Sequence, residues 1–209
     1  MNIEIRKLTP ELAEDYAHFF DETPHDVEVD EMKCYCVTWR SDDSYEMNGD
    51  HWFPTREERR ARAIGYVKAG NIQGYLALVD GKIVGWCNAN GDCSFCVDYL
   101  RGFWPIDEKE AGVKVKSVFC FMIAPKMRGQ GVATQLLERV CADAADEGFD
   151  YVEAYVDTNE RAADAPQDFR GPRALFENCG FAQCGEMSGR VVMRRALNQD
   201  SKGRLDIDV

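Results

Sequence analysis

Arg128-Gly129-Gln130-Gly131-Val132-Ala133 is the stretch on which the reading of this fold turns. The apolar run Val118-Phe119-Cys120-Phe121-Met122-Ile123, closed by Ala124-Pro125, precedes it, and a helix-period stretch through Glu138 follows. That order predicts a buried strand, a glycine-bearing turn and a helix start. At such a turn several backbone N–H groups point one way and have no acceptor inside the helix, while the helix dipole adds about half a positive charge. A phosphate or pyrophosphate fits there. Taken alone such a turn is weak evidence, since most are only tight connections, with Gly129 and Gly131 as turn glycines and no ligand.

Downstream, Leu136, Leu137, Val140, Cys141 and Ala144 give the helix one apolar face, and Gly148 stops it. Tyr151 to Val156 reads as another strand. Pro172, Leu175, Phe176 and Cys179 mark a shorter helix ended by Gly180, and Phe181 to Glu186 with Val191 to Arg195 form a hairpin around Ser188-Gly189. Upstream, Val113 to Ile123 forms the central strand. Before it, Tyr75 to Val79 and Ile83 to Cys87 flank Asp80-Gly81-Lys82, a strong hairpin signal. Thr55-Arg56-Glu57-Glu58 has capping-box spacing and opens a helix that Gly70 ends. Asn2 to Leu8 alternates as a first strand, and Thr9-Pro10 starts a helix to about Asp21. Cys34 to Trp39 reads as a short strand in an otherwise irregular segment. The result is an α/β chain: strand, two helices, a three-strand meander, helix, strand, helix and two strands, with helices on the faces of one mixed sheet. A single domain over residues 1–197 is expected, followed by a polar tail, 198–209.

A hydrophobic share of 45% in 209 residues supports one sizeable core. The formal net charge of −12 argues against nucleic acid and anionic membranes as partners and weakly favours cationic small substrates. The start lacks the apolar core of a signal peptide, and no run approaches the ~20 apolar residues of a membrane span. Nine cysteines, an odd count, fit a reducing cytoplasm better than a disulfide framework.

Three groups of residues together resemble the GCN5-related N-acetyltransferases. Val79-Asp80-Gly81-Lys82-Ile83-Val84-Gly85 is similar to that family's second-to-third-strand hairpin. Ile123 to Thr134 is similar to its acetyl-CoA signature, and Ala174 to Phe181 to its late helix and the turn into the sixth strand. The resemblance covers roughly residues 73–195. It implies acetyl-CoA as co-substrate and, as acceptor, a primary amine of a small molecule or of a peptide; no metal is expected. Dimers are common in the family, so a homodimer is allowed.

Residue by residue, the resemblance implies that Phe121-Met122-Ile123 pairs with the pantetheine arm like an added strand. The amides of Gly129, Gly131, Val132, Ala133 and Thr134, within the loop that includes Gln130, take the pyrophosphate, and Arg128 starts that cradle. Asn159 falls where family members often carry a cofactor-contacting asparagine; an ordinary loop residue reads equally well there. The chemistry implied is direct transfer from the thioester to a neutral amine, which requires a proton acceptor and an N–H that polarises the carbonyl. The family's usual proton donor to the thiolate is a tyrosine four residues before the glycine that ends the late helix. Here that position is Phe176. Three readings follow: water or a nearby group such as Tyr155 or Cys179 supplies the proton, no acid is needed, or the chain binds acyl-CoA without efficient turnover. Glu153 is the first candidate base, although its alternation with Val152 and Ala154 also suits a solvated face; Asp157 and His51 are weaker candidates.

Cys34, Cys36, Cys87, Cys93 and Cys96 offer zinc-ligand chemistry, against the commoner reading of cysteines as small buried apolar residues. The segments that contain them correspond to the family's variable substrate walls, where Tyr35, Trp39, Trp52, Phe103 and Trp104 would line an aromatic pocket. The alternative is that some of these aromatics are core. An N-acetyltransferase, an acyl-CoA binding or sensing module and a zinc-binding interaction protein are therefore the functions to distinguish.

Overall fold

Asp80-Gly81 folds as the two-residue turn that its sequence predicts. Both residues adopt positive φ, 49° and 76°, which matches the right-handed twist of the strands on either side. The computed structural model describes residues 1–24, 33–40, 55–91, 112–157, 169–187 and 190–197. Seven strands, β1 (Glu4–Lys7), β2 (Gly74–Val79), β3 (Lys82–Asn90), β4 (Val115–Ile123), β5 (Tyr151–Asp157), β6 (Ala182–Met187) and β7 (Arg190–Ala196), form one sheet in the order β1-β2-β3-β4-β5-β7-β6. Among the described residues only β4 and β5 run parallel. The helix between them, α3 (Val132–Asp146), makes the crossover that a parallel pair needs.

Helices α1 (Ala13–Glu22) and α2 (Arg56–Lys68) cover one face, while α3 and the short α4 (Arg173–Asn178) cover the other. The Thr55 cap forms reciprocally: its hydroxyl accepts the Glu58 N–H, and Glu58 accepts the Thr55 N–H. Val132, Leu136, Leu137, Val140, Cys141 and Ala144 form the buried stripe of α3, each large side chain contributing roughly 1.5–3 kcal/mol. Val132 seats the helix start against β3 at Gly85, where a Cβ would lie 2.9 Å from Val132 Cγ1 and 3.1 Å from Ile123 Cδ1. Only glycine leaves that space.

Residues 35–38 form a turn, not the short strand their composition suggests. Tyr35 and Cys36 take positive φ, 47° and 52°, at a cost of about 1–2 kcal/mol each. Side chains from both layers hold them there. Tyr16 donates to the Tyr35 carbonyl at 2.9 Å, Arg59 to the Lys33 carbonyl at 2.7 Å and Asn88 to the Trp39 carbonyl at 3.0 Å. At roughly 1 kcal/mol net per bond, these contacts offset the strain.

Among the described residues no helix is long and apolar enough to cross a membrane. The expected tail, 198–209, and the Ser188-Gly189 turn lie outside the described residues.

Candidate active site

The site begins as a defect in the sheet. The β3–β4 register passes from Asn88↔Cys120 directly to Ala89↔Val118, so Phe119 is an extra residue on β4. Such a bulge bends its strand and exchanges the faces of the side chains beyond it. Accordingly Phe119 and Cys120, although consecutive, both pack in the cluster under α1 and α2, whereas Val118 and Phe121 pack under α3. The bend also ends a ladder. β4 and β5 pair from Val115↔Tyr151 to Val118↔Ala154 and no further, although β4 continues to Ile123 and β5 to Asp157. Past Val118 the two parallel strands part into a wedge.

Ala124 donates its N–H to Val84, so by alternation Phe121 and Ile123 turn their main-chain groups away from β3, towards the wedge. The Phe121 N–H meets the Phe169 carbonyl at 2.5 Å. Gly171, with φ 81°, carries that segment over Phe121 and Phe176. The Ile123 carbonyl accepts from Arg128 Nε at 3.3 Å. Phe121 is buried, while Met122 and Ile123 are half-buried.

At the mouth of the wedge lies the glycine loop. Gly129 and Gly131 have φ 72° and 78°, and no heavy atom would lie within 4 Å of a Cβ on either, so backbone conformation alone demands glycine here. Gln135 is the first residue whose N–H closes a helical bond, on the Gly131 carbonyl at 3.1 Å, which leaves the amides of Val132, Ala133 and Thr134 ahead of it. Gly131, the N-cap, has no side chain to fill that position. Gln130 folds back to donate to the Lys126 carbonyl at 2.6 Å, and residues 128–131 are exposed. An exposed helix start with ordered, uncapped amides is the physical requirement for a pyrophosphate.

The other candidates fall into distinct places. Phe176 is fully buried, its ring 6.2 Å from Phe121 and 5.5 Å from Phe181, on the α3 and α4 side of the wedge. Tyr155 and Glu153 project on the opposite side. Both are buried, so Glu153 does not lie on a solvated face. Tyr155 donates to Glu153 Oε2 at 3.1 Å and lies 3.2 Å from Ser117 Oγ. Arg194 holds Glu153 Oε1 from Nε at 2.7 Å and from Nη2 at 2.5 Å. Tyr155 also stacks on Phe119 at 5.4 Å, and Phe119 on Trp39 at 5.0 Å. Tyr155, Phe119 and Trp39 thereby form an aromatic column rising from the wedge, with the Arg170 guanidinium 5.5 Å from the Trp39 ring centre. Tyr35 is wholly buried; its ring lies 5.5 Å from Phe20 and its hydroxyl donates to Asp21 at 2.7 Å. Burial first of all pushes that phenol up to about 12.

Cys36 and Cys87 are buried protonated thiols. A hydrogen bond to Cys120 is the leading cause that raises Cys36, and burial raises Cys87. Among the described residues no group of three or more His, Cys, Asp and Glu side chains is placed to hold a metal. Trp52, Trp104, Phe103, Cys93, Cys96, Asn159 and His51 lie outside the described residues. Periodicity gave no sign of Ser117, Arg194, the Phe119 bulge or the Phe169 carbonyl, since each acquires its place only through non-local pairing.

Solved acetyltransferase structures share this architecture. The GNAT domain of PAT from S. lividans superposes with a TM-score of 0.55 at 15% identity, covering 93% of this chain and 90% of that one. Polyamine N-acetyltransferase from Drosophila melanogaster gives 0.53 at 14%, covering 94% and 100%, and PaiA N-acetyltransferase from Thermoplasma acidophilum, solved with coenzyme A, gives 0.51 at 13%, covering 94% and 99%. No curated protein matches the chain. These identities establish the fold alone; residues 25–181 match the Acetyltransferase (GNAT) family itself, and with that match over most of its length the chain belongs to the GNAT acetyltransferases.

Proposed function

We propose that this acyltransferase moves the acetyl group of acetyl-CoA directly to the primary amine of a small cationic molecule. The observation that carries the reading is the wedge ending on an uncapped helix start. It joins an open β4 edge, long enough for an extended pantetheine arm, to amides suited to a pyrophosphate. Phe121-Met122-Ile123 would supply the strand edge, and the amides of Gly129 and Gly131 to Thr134 the phosphate cradle, with Arg128 beside it. The donor takes over the Phe121 N–H that Phe169 otherwise holds. Main-chain N–H groups at the wedge would polarise the thioester carbonyl as negative charge develops on its oxygen.

An ordinary amine titrates near 10.4, so only about one in a few thousand is neutral at pH 7, and a proton acceptor is worth a large factor in rate. Glu153 with Tyr155 is the candidate acceptor. The departing thiol is far less basic, titrating near 8.5, so Phe176 in place of a proton donor costs less. The net charge of −12 supports a cationic acceptor. Phe176 also keeps a second reading in play, an acyl-CoA binding module without turnover. Incubation with acetyl-CoA and a panel of polyamines, amino-sugar amines and short peptides separates the two. Amine-dependent release of free CoA thiol is expected; binding of acetyl-CoA with no thiol released by any amine would favour the binding module.

A further inference from the structure

We propose that Ser117 and Arg194 are positioning residues of a proton path, Tyr155 to Glu153, that leads from the vertex of the wedge into the sheet. The proposal rests on the acetyl-transfer reading above. Three neighbouring strands assemble it: Ser117 stands opposite Glu153 across β4 and β5, and Glu153 opposite Arg194 across β5 and β7. Tyr155 is the first residue of β5 beyond the last ladder pair, Val118↔Ala154. Its ring is fixed by stacking on the bulged Phe119. The path therefore starts where the sheet opens.

Proton positions follow from the donor inventory. Arg194 occupies Oε1 of Glu153, and Tyr155, with a single proton, gives it to Oε2. The Ser117 hydroxyl, 3.2 Å from the phenol oxygen, then donates to Tyr155. One proton leaves the amine nitrogen for the Tyr155 oxygen as the Tyr155 proton passes to Glu153, while the Ser117 hydroxyl holds the phenol oxygen in place. The net change is a neutral amine and a protonated Glu153; no other bond is altered in this step. The C–N bond then forms, the C–S bond breaks, and the second nitrogen proton passes to the departing sulfur, which leaves the amide and free CoA thiol. Arg194 orients the carboxylate so that Oε2 faces the phenol. A cross-strand ion pair serving the fold alone would need neither the phenol nor the serine. The Arg194 side chain is 38% exposed and that of Glu153 9%, so solvent screens one end of the pair while the arginine orients a buried carboxylate.

The test measures steady-state transfer to the best amine of the panel, acetyl-CoA affinity by calorimetry, and thermal melting for Arg194→Gln, Arg194→Lys, Ser117→Ala and Tyr155→Phe. Expected are a fall in kcat of about tenfold for Arg194→Gln and Ser117→Ala and about a hundredfold for Tyr155→Phe, within the range of proton-transfer catalysis. Donor affinity should stay within twofold, and Arg194→Lys should recover at least half of the loss. Unchanged kcat in Arg194→Gln and Tyr155→Phe overturns the path and leaves the transferase reading intact. So does a loss confined to donor affinity or melting, or a lysine variant no better than the glutamine one. A wild-type chain that binds acetyl-CoA yet releases no thiol with any amine overturns both.

Discussion

β4 and β5 are two different pairs of strands within one. Over Val115–Val118 and Tyr151–Ala154 they form an ordinary parallel ladder, reinforced on one face by Ser117, Tyr155, Glu153 and Arg194. Over Phe119–Ile123 and Tyr155–Asp157 the same strands separate. The closed half carries Lys116, Ser117 and Glu153 while the open half is mostly apolar, but composition does not say where the pairing stops. One extra residue, Phe119, does. The comparison teaches that the proposed donor site lies where pairing between β4 and β5 stops, and that the closed half holds the proposed catalytic side chains beside it.

The largest expected effect lies at the open half's mouth. Gly131→Asp places a carboxylate among the amides proposed to hold the pyrophosphate and puts a β-carbon on a residue with φ 78°. Acetyl-CoA affinity should fall at least a hundredfold by calorimetry, about 2.7 kcal/mol, while circular dichroism stays native. Retained affinity in a folded variant would show that the donor binds elsewhere. Gly85→Val comes next. Its Cβ would press on Val132 Cγ1 and Ile123 Cδ1, driving the start of α3 off the sheet. The melt should report a loss of about 1–3 kcal/mol, and donor affinity should drop roughly tenfold because the amides move with the helix. A loss of stability with undisturbed affinity would separate the loop from its seat. Phe176→Tyr should have the smallest effect. A phenol on the α4 side of the wedge gives the departing thiolate a proton donor, and kcat should rise a few-fold at unchanged donor affinity. A fall in kcat would mean that the buried ring between Phe121 and Phe181 matters for packing first.

What could be read from the sequence was what local chemistry decides. Asp80-Gly81, the Thr55 capping box, the glycines of the loop and the buried stripe of α3 each specify their conformation within a few residues, and the structure matches them. The family signature rested on those same segments. The bulge at Phe119 lies in an unbroken apolar run and depends on how β3 aligns with β4, so nothing near it in sequence announces it. The same is true of Arg194, which meets Glu153 only across the β5–β7 ladder. The segment 35–38 misled for a different reason. Tyr, Cys, Val and Thr favour strands, but side chains from α1, α2 and β3 capture the carbonyls of Tyr35 and of the flanking Lys33 and Trp39, and Tyr35 and Cys36 take up the left-handed region.

Amide hydrogen exchange, resolved by residue with and without acetyl-CoA, tests the central claim most directly. The wedge account predicts new protection at Ile123 and across Gly129 to Thr134, with Val115–Val118 unchanged because that half of the strand is already paired. Protection that spares Ile123 and the glycine loop, or that falls on the closed half instead, would contradict it.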